Sequence, residues 1–323
     1  MGLAYDRLVS LAELHEVLAE DHIHSSPKLA GIPSVDGAHW LQAAEALADW
    51  ARDAIPIHKV DGDERFAELA ELVQSELGVD VLVESYADDP LSGAAITDTA
   101  FPLIFVNSTH ALPRSLFTLA HELGHVLARH DGGGITLDRE LSGSTDDERL
   151  ANAFAASFLM PKQTVLEVIE AKGRSDAALI SLAYQFGVSF ESLIYRLHNL
   201  SVISAEGRDR LRQVNWRQIV LHLSDQNSRS DLTFANAGRL QARSVTPPPT
   251  IQPALLVARA TTGFRKGSIS ARALANLVGT EFERLLGDYQ DDPDLVRAHE
   301  LIAADYEPQH AERDEDRFSG HPV

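Results

Sequence analysis

His121 and His125 stand four residues apart in HELGH, with Glu122 beside the first, inside the run RSLFTLAHELGHVLARH of residues 114–130. On a helix, at 100° per residue, the two imidazoles lie about 40° apart around the axis, so their ring nitrogens can converge on one ion. A carboxylate next to such an ion is placed to take a proton from water, and HExxH on a helix therefore points to metal-assisted hydrolysis of a peptide bond.

The surrounding residues supply the helix. Pro113 fits a first turn, and Leu116, Phe117, Leu119, Ala120, Leu123, Val126 and Leu127 make a broad apolar surface. Gly132, Gly133 and Gly134 are expected to end it. A buried helix carrying two histidines and a glutamate is costly unless something pairs them, and metal ligation would do so.

A catalytic tetrahedral site needs a third protein ligand. The extended pattern HExxHxxGxxH requires Gly at 128 and His at 131, where this chain has Ala128 and Asp131. His130 falls one residue short and about 140° from His125 on a continued helix, which suits a surface position or a role supporting the ligands over direct ligation. Glu148 is the stronger candidate, at the start of LANAFAASFLMP after a loop long enough to fold that helix back. Asn152, four residues later on the same face, is placed to orient Glu148 or a histidine. Thr145 followed by Glu148 also reads as a capping box, a purely local use of that carboxylate, and Asp146 and Asp147 are fallback ligands. With no cysteine in the chain the ligands must be nitrogen and oxygen, a set that favours Zn2+ and admits Mn2+.

The elements that must position these groups follow from periodicity. Glu64 to Leu77 reads as an amphipathic helix closed by Gly78, and VDVLVESY, SGAAI and FPLIFVN read as strands just before the HELGH helix. The plan is α+β, a small sheet packed on the active-site helix. Residues 1–60 form a helical N-terminal extension through SLAELHEVLAED and HWLQAAEALADWARDA, and 61–173 a metallopeptidase-like domain. Residues 174–200 make a helix-turn-helix-like module around GVS. Residues 201–323 form a C-terminal regulatory or partner-binding region ending in a frayed acidic tail. Within it WRQIVLHLS is a helical candidate, VTPPPTIQP an extended connector and ISARALANLVGTEFERLLGDY a helical region.

The whole chain narrows the class further. Its 323 residues, 44% apolar, suffice for two or three domains, and no run suggests a membrane span or an export signal, so a soluble cytoplasmic protein is expected. A formal charge of -20 opposes phosphate binding. On the second helix of the 174–200 module only Arg196 and His198 are basic, beside Glu191, so direct nucleic-acid binding is disfavoured.

FTLAHELGHVLARH and ERLANAFAASFLMP resemble the ImmA/IrrE family of zinc-dependent endopeptidases. LIFVN, Arg114 and LAYQFGVSFESLIYRLHNL are also similar to that family's pattern, so the resemblance spans about residues 64–200. It implies that His121, His125 and Glu148 are the metal ligands and Glu122 the base. It also implies a protein substrate, a helix-turn-helix transcriptional repressor cleaved in a mobile-element or stress-response circuit. Residues 1–60 lack the N-terminal helix-turn-helix that many members carry.

Two further expectations concern substrate. The strand Leu103 to Asn107, through Leu103, Phe105 and Asn107, offers edge hydrogen bonds to an extended peptide, unless it simply completes the sheet. Tyr184, Tyr195 and His198 are candidates for stabilising the oxyanion, each with a competing structural role. Two rival readings remain: a catalytically quiet, metal-binding regulatory protein, and a DNA-binding regulator built on residues 174–200.

Overall fold

The computed structural model describes residues 2–20, 28–55, 64–98, 100–129, 135–138, 145–216, 218–219 and 245–280. It divides into two compact units: Met1–Ser10 with Ser25–Leu255, and Leu11–His24 with Leu256–Val323. Among the described residues, no helix is long and apolar enough to cross a membrane.

In the first unit the sheet holds β1 (Asp80–Glu84), β2 (Gly93–Ile96), β3 (Leu103–Asn107) and β4 (Ile135–Asp138), ordered β1-β3-β2-β4. β1 runs parallel to β3, pairing Asp80 with Leu103 and Glu84 with Asn107. β2 is antiparallel to β3, with Gly93 opposite Val106, and to β4, with Gly93 opposite Asp138. Ahead of the sheet, α3 (Arg65–Leu72) widens into a π turn over Val73–Leu77, and Gly78 at φ 68° reverses the chain into β1. The outer edge of β1 meets Ile251, whose N–H and C=O bond Val83 at 3.1 and 2.8 Å. The extended stretch after Val245 thus closes that edge.

Three helices build the frame around the site. α4 (Leu112–Ala128) lies against β2 and β3, with Pro113 in its first turn and its first N–H donated to the Thr246 carbonyl at 2.9 Å. It ends earlier than the glycines suggest, because Arg129 itself takes the left-handed conformation, φ 55°, that closes a helix; Gly132 to Gly134 lie outside the described residues. α5 (Asp146–Leu159) packs along α4 on one side and along α2 (Trp40–Ala54) on the other. Gly124 makes the first contact close: a Cβ there would sit 3.2 Å from the Ala151 Cα and 3.0 Å from the Phe154 ring. Phe154 and Phe158, stacked with ring centroids 5.5 Å apart, are buried, each burial worth about 1.5–3 kcal/mol.

Beyond α5 come α6 (Lys162–Lys172), α7 (Asp176–Phe186), α8 (Phe190–Asn199) and α9 (Ala205–Arg212). α7 and α8 are capped by Ser175 and Ser189 and separated by Gly187 at φ 70°, the bend expected around GVS. Arg196 is not a surface cation. It is 1% exposed, and its Nε donates to the Met160 carbonyl at 3.0 Å while Nη1 donates to Glu45 Oε1 at 2.6 Å and Ser157 Oγ at 2.9 Å. α2 is thereby tied to α5 and α8, although its sequence places it in an N-terminal extension.

The second unit contains the latter part of α1 (Leu3–Glu20) and the helices Ala254–Lys266, from Leu256 on, and Ala271–Val278. Leu11, Leu18, Leu256, Phe264, Leu274 and Leu277 are buried in it, with His15 Nδ1 3.0 Å from Arg259 Nη1. The sequence pattern did not show the helix Ala254–Lys266, and α1 begins seven residues before the expected SLAELHEVLAED. Of the helical region expected over residues 269–289, residues 269–280 fall within the described residues and form the helix Ala271–Val278, and most of WRQIVLHLS lies outside them.

Candidate metal centre

α4 brings His121 and His125 onto one face, each no more than 1% exposed, with Nε2 atoms 3.1 Å apart. From α5, Glu148 places Oε2 3.3 Å from His121 Nε2 and Oε1 3.4 Å from His125 Nε2. Two ligands bound tetrahedrally at about 2.05 Å lie about 3.3 Å apart, and each of these pairwise separations is close to that value. Two imidazole nitrogens and a carboxylate facing one another at such range repel unless a proton or a cation sits among them. The donor set therefore fits a divalent ion of zinc's kind.

Glu148 keeps its charge here. Hydrogen bonds to His121, then to His125, hold its carboxyl well below the ordinary carboxylate range, outweighing the burial that raises it. The capping-box alternative is half realised. Thr145 Oγ1 accepts the Glu148 N–H at 3.3 Å, but the carboxylate turns to the histidines instead of back to the cap. Asp146 and Asp147 are exposed and outside the cluster, and Asp146 pairs with Arg149 at 3.0 Å. Asn152 lies half-buried one turn after Glu148, and His130 lies outside the described residues.

Glu122 is fully buried on the side of α4 that faces β2. Gly93 makes room for it: a Cβ at that position would come 2.8 Å from Glu122 Oε1 and 2.4 Å from Thr118 Cγ2. Sequence reasoning missed Gly93, Thr118 and the packing role of Gly124. The available signal was a small residue in a strand and a glycine inside a helix, both of which mark close backbone approach.

The expected substrate strand needs correction. β3 is interior, paired on both sides, so Leu103, Phe105 and Asn107 have no free edge to offer, and all three are fully buried. The Asn107 amide is committed within the fold. Nδ2 donates to the Tyr86 and Leu91 carbonyls at 3.0 and 2.9 Å, and Oδ1 accepts from the Tyr86 and Thr109 N–H groups at 3.1 and 3.3 Å. The three oxyanion candidates have local surroundings on α7 and α8. Tyr184 is buried beside Ile180, Tyr195 lies under Arg212 at 5.3 Å, and His198 Nδ1 is 3.3 Å from the Ile203 carbonyl.

Comparison with known proteins agrees with this geometry. Residues 74–198, from the π turn to the end of α8, match the IrrE N-terminal-like domain of the peptidase M78 family. The radiation response metalloprotease IrrE of Deinococcus radiodurans is 33% identical over 107 residues, 31% of this chain and 32% of that protein. Its namesake from Deinococcus deserti is 34% identical over 104 residues, 31% of this chain and 37% of that protein. The chain thus spans about a third of the length of these relatives. Residues 74–198, which contain the His121, His125 and Glu148 cluster, are thus similar to the IrrE N-terminal-like domain.

Proposed function

We propose that this chain is a zinc-dependent endopeptidase that cuts a regulatory protein at a specific bond. The observation that carries the reading is the convergence of His121, His125 and Glu148 at tetrahedral spacing beside a buried Glu122. When bound, the ion supplies Lewis acidity at the scissile carbonyl and acidifies a water. Glu122 takes that water's proton as the C–O bond forms and returns it to the leaving amine nitrogen as the C–N bond breaks. Glu122 is itself fully buried, which keeps its proton transfers out of bulk solvent.

The substrate is an extended segment of a protein. Among the described residues β4 pairs only with β2, so its outer edge is where a peptide strand can add, in place of the interior β3. A transcriptional repressor as target agrees with the radiation-response role in the relatives' names and with the resemblance to repressor-cleaving enzymes. Direct DNA reading by α8 is disfavoured by the burial of Arg196 and the charge of -20.

Glu122→Gln tests the assignment. It preserves size and leaves the three ligands intact, so bound zinc is expected to stay stoichiometric while cleavage of a quenched-fluorescent peptide library falls about 1000-fold. Undiminished cleavage sinks Glu122 as the base. A zinc-loaded wild type that cuts nothing favours the quiet regulatory protein.

A further inference from the structure

Thr118 is 1% exposed, and its hydroxyl has no hydrogen-bond partner among the described residues. A buried hydroxyl without an acceptor is destabilising, and a helical threonine normally removes the problem by bonding the carbonyl four residues back. Here that bond is absent, although Thr118 lies in the middle of α4. One turn further on, at the i+4 neighbour on the same helix face, stands Glu122.

The two side chains meet at one place. The point where Gly93 lacks a Cβ is 2.4 Å from Thr118 Cγ2 and 2.8 Å from Glu122 Oε1, so the threonine methyl and the carboxylate both border the space that the glycine leaves open. Threonine in a helix populates two χ1 wells, and a turn of about 120° puts Oγ1 at a γ position facing its neighbour. We propose that Thr118 is a positioning residue for Glu122: in the zinc-loaded enzyme its hydroxyl donates to the Glu122 carboxylate and fixes the base against β2. Gly93 is the residue that leaves the space for that bond. The inference rests on the peptidase reading of Glu122, because a carboxylate that moves no proton needs no such support.

The zinc-loaded full chain tests it in two ways. Thr118→Val keeps the shape and removes the hydroxyl, and Thr118→Ser keeps the hydroxyl. With the library peptide that wild type cuts fastest, Thr118→Val is expected to lose about tenfold in kcat with KM and bound zinc unchanged, and Thr118→Ser to restore it. The metal-free Val variant should melt no lower than wild type, since it loses an unpartnered buried hydroxyl. Unchanged kcat, or a parallel fall in kcat, zinc content and melting temperature, overturns the proposal. A crystal structure of the zinc-loaded wild type reads the contact without activity. Thr118 Oγ1 is expected about 2.7 Å from a Glu122 oxygen, and a methyl still facing that carboxylate overturns the assignment. If wild type cuts no peptide, the peptidase reading fails by that result, and the crystal structure decides the Thr118 contact separately.

Discussion

Helix α5 carries a buried polar cluster at each end, and the two are built oppositely. At its first turn Glu148 meets His121 and His125, two imidazole nitrogens and a carboxylate within 3.1 to 3.4 Å of their nearest partners, each able to ligate an ion. At its last turn Ser157 meets Arg196 and Glu45, where a guanidinium supplies N–H groups to a carboxylate, a hydroxyl and the Met160 carbonyl. The second cluster is held together by its own donors, so its role is to fasten α2, α5 and α8. The first brings together two histidines and a carboxylate with no Lys or Arg among them, a set suited to holding an ion. Burial alone does not separate a functional polar cluster from a structural one; the balance of donors and acceptors does.

Removing Glu148 should break this contrast most sharply. Glu148→Ala is expected to abolish cleavage and to weaken zinc binding, measured by titration calorimetry, by more than about 100-fold. The metal-free variant should melt within about 1 kcal/mol of wild type, because Glu148 fastens nothing but the site. In the wild type, a chelator should remove the stabilisation that zinc provides, about 4 kcal/mol at a thousandfold excess over Kd. A metal-free Glu148→Ala protein that unfolds would make the first cluster structural too. Gly93→Ala ranks next: its Cβ would displace Thr118 or Glu122, and kcat should fall about tenfold or more with zinc retained.

The opposite outcome is expected at the other end of α5. Arg196→Met removes the donor that three acceptors share, and Glu45, one-third exposed, regains only part of its hydration. Urea unfolding should show a loss of roughly 2–3 kcal/mol, with zinc affinity and kcat per folded molecule unchanged. Lysine should not rescue it, since one ammonium cannot reproduce the Nε and Nη1 geometry.

The two clusters were also unequally legible in the sequence. His121, Glu122 and His125 were readable because helical spacing alone sets their geometry, and Glu148 because a capping residue and an apolar stripe mark the start of α5. The sequence marked Arg196 only as a basic group on α8, because its partners are 36 and 39 residues away in α5 and its flank and 151 away in α2, and no local pattern encodes such pairings. The order of the strands was hidden for the same reason. A signal existed even so: LIFVN is a continuous apolar run, which marks a strand covered on both faces and argued against an edge. The helix Ala254–Lys266 was missed because its N-terminus is capped from afar, by Gln74 Oε1 on the Ala254 N–H at 2.8 Å and Asp80 Oδ1 on the Leu255 N–H at 2.8 Å.

The smallest expected effect is a pH dependence that belongs to the fastening cluster alone. Burial raises the Glu45 carboxyl, but the hydrogen bond and charge of Arg196, helped by Ser157 and Arg52, hold it below its ordinary value of 4.5. A carboxyl lowered by folding contributes stability that is present above the unfolded pKa and is lost as pH falls through the folded one. The melting temperature of wild type should therefore exceed that of Glu45→Gln at neutral pH, and the gap should close as pH drops below 4.5. Running the titration on metal-free protein removes zinc release from the measurement. A gap that stays constant to low pH would mean that Glu45 acts by shape and hydrogen bonding without its charge, and that the fastening cluster is held by geometry alone.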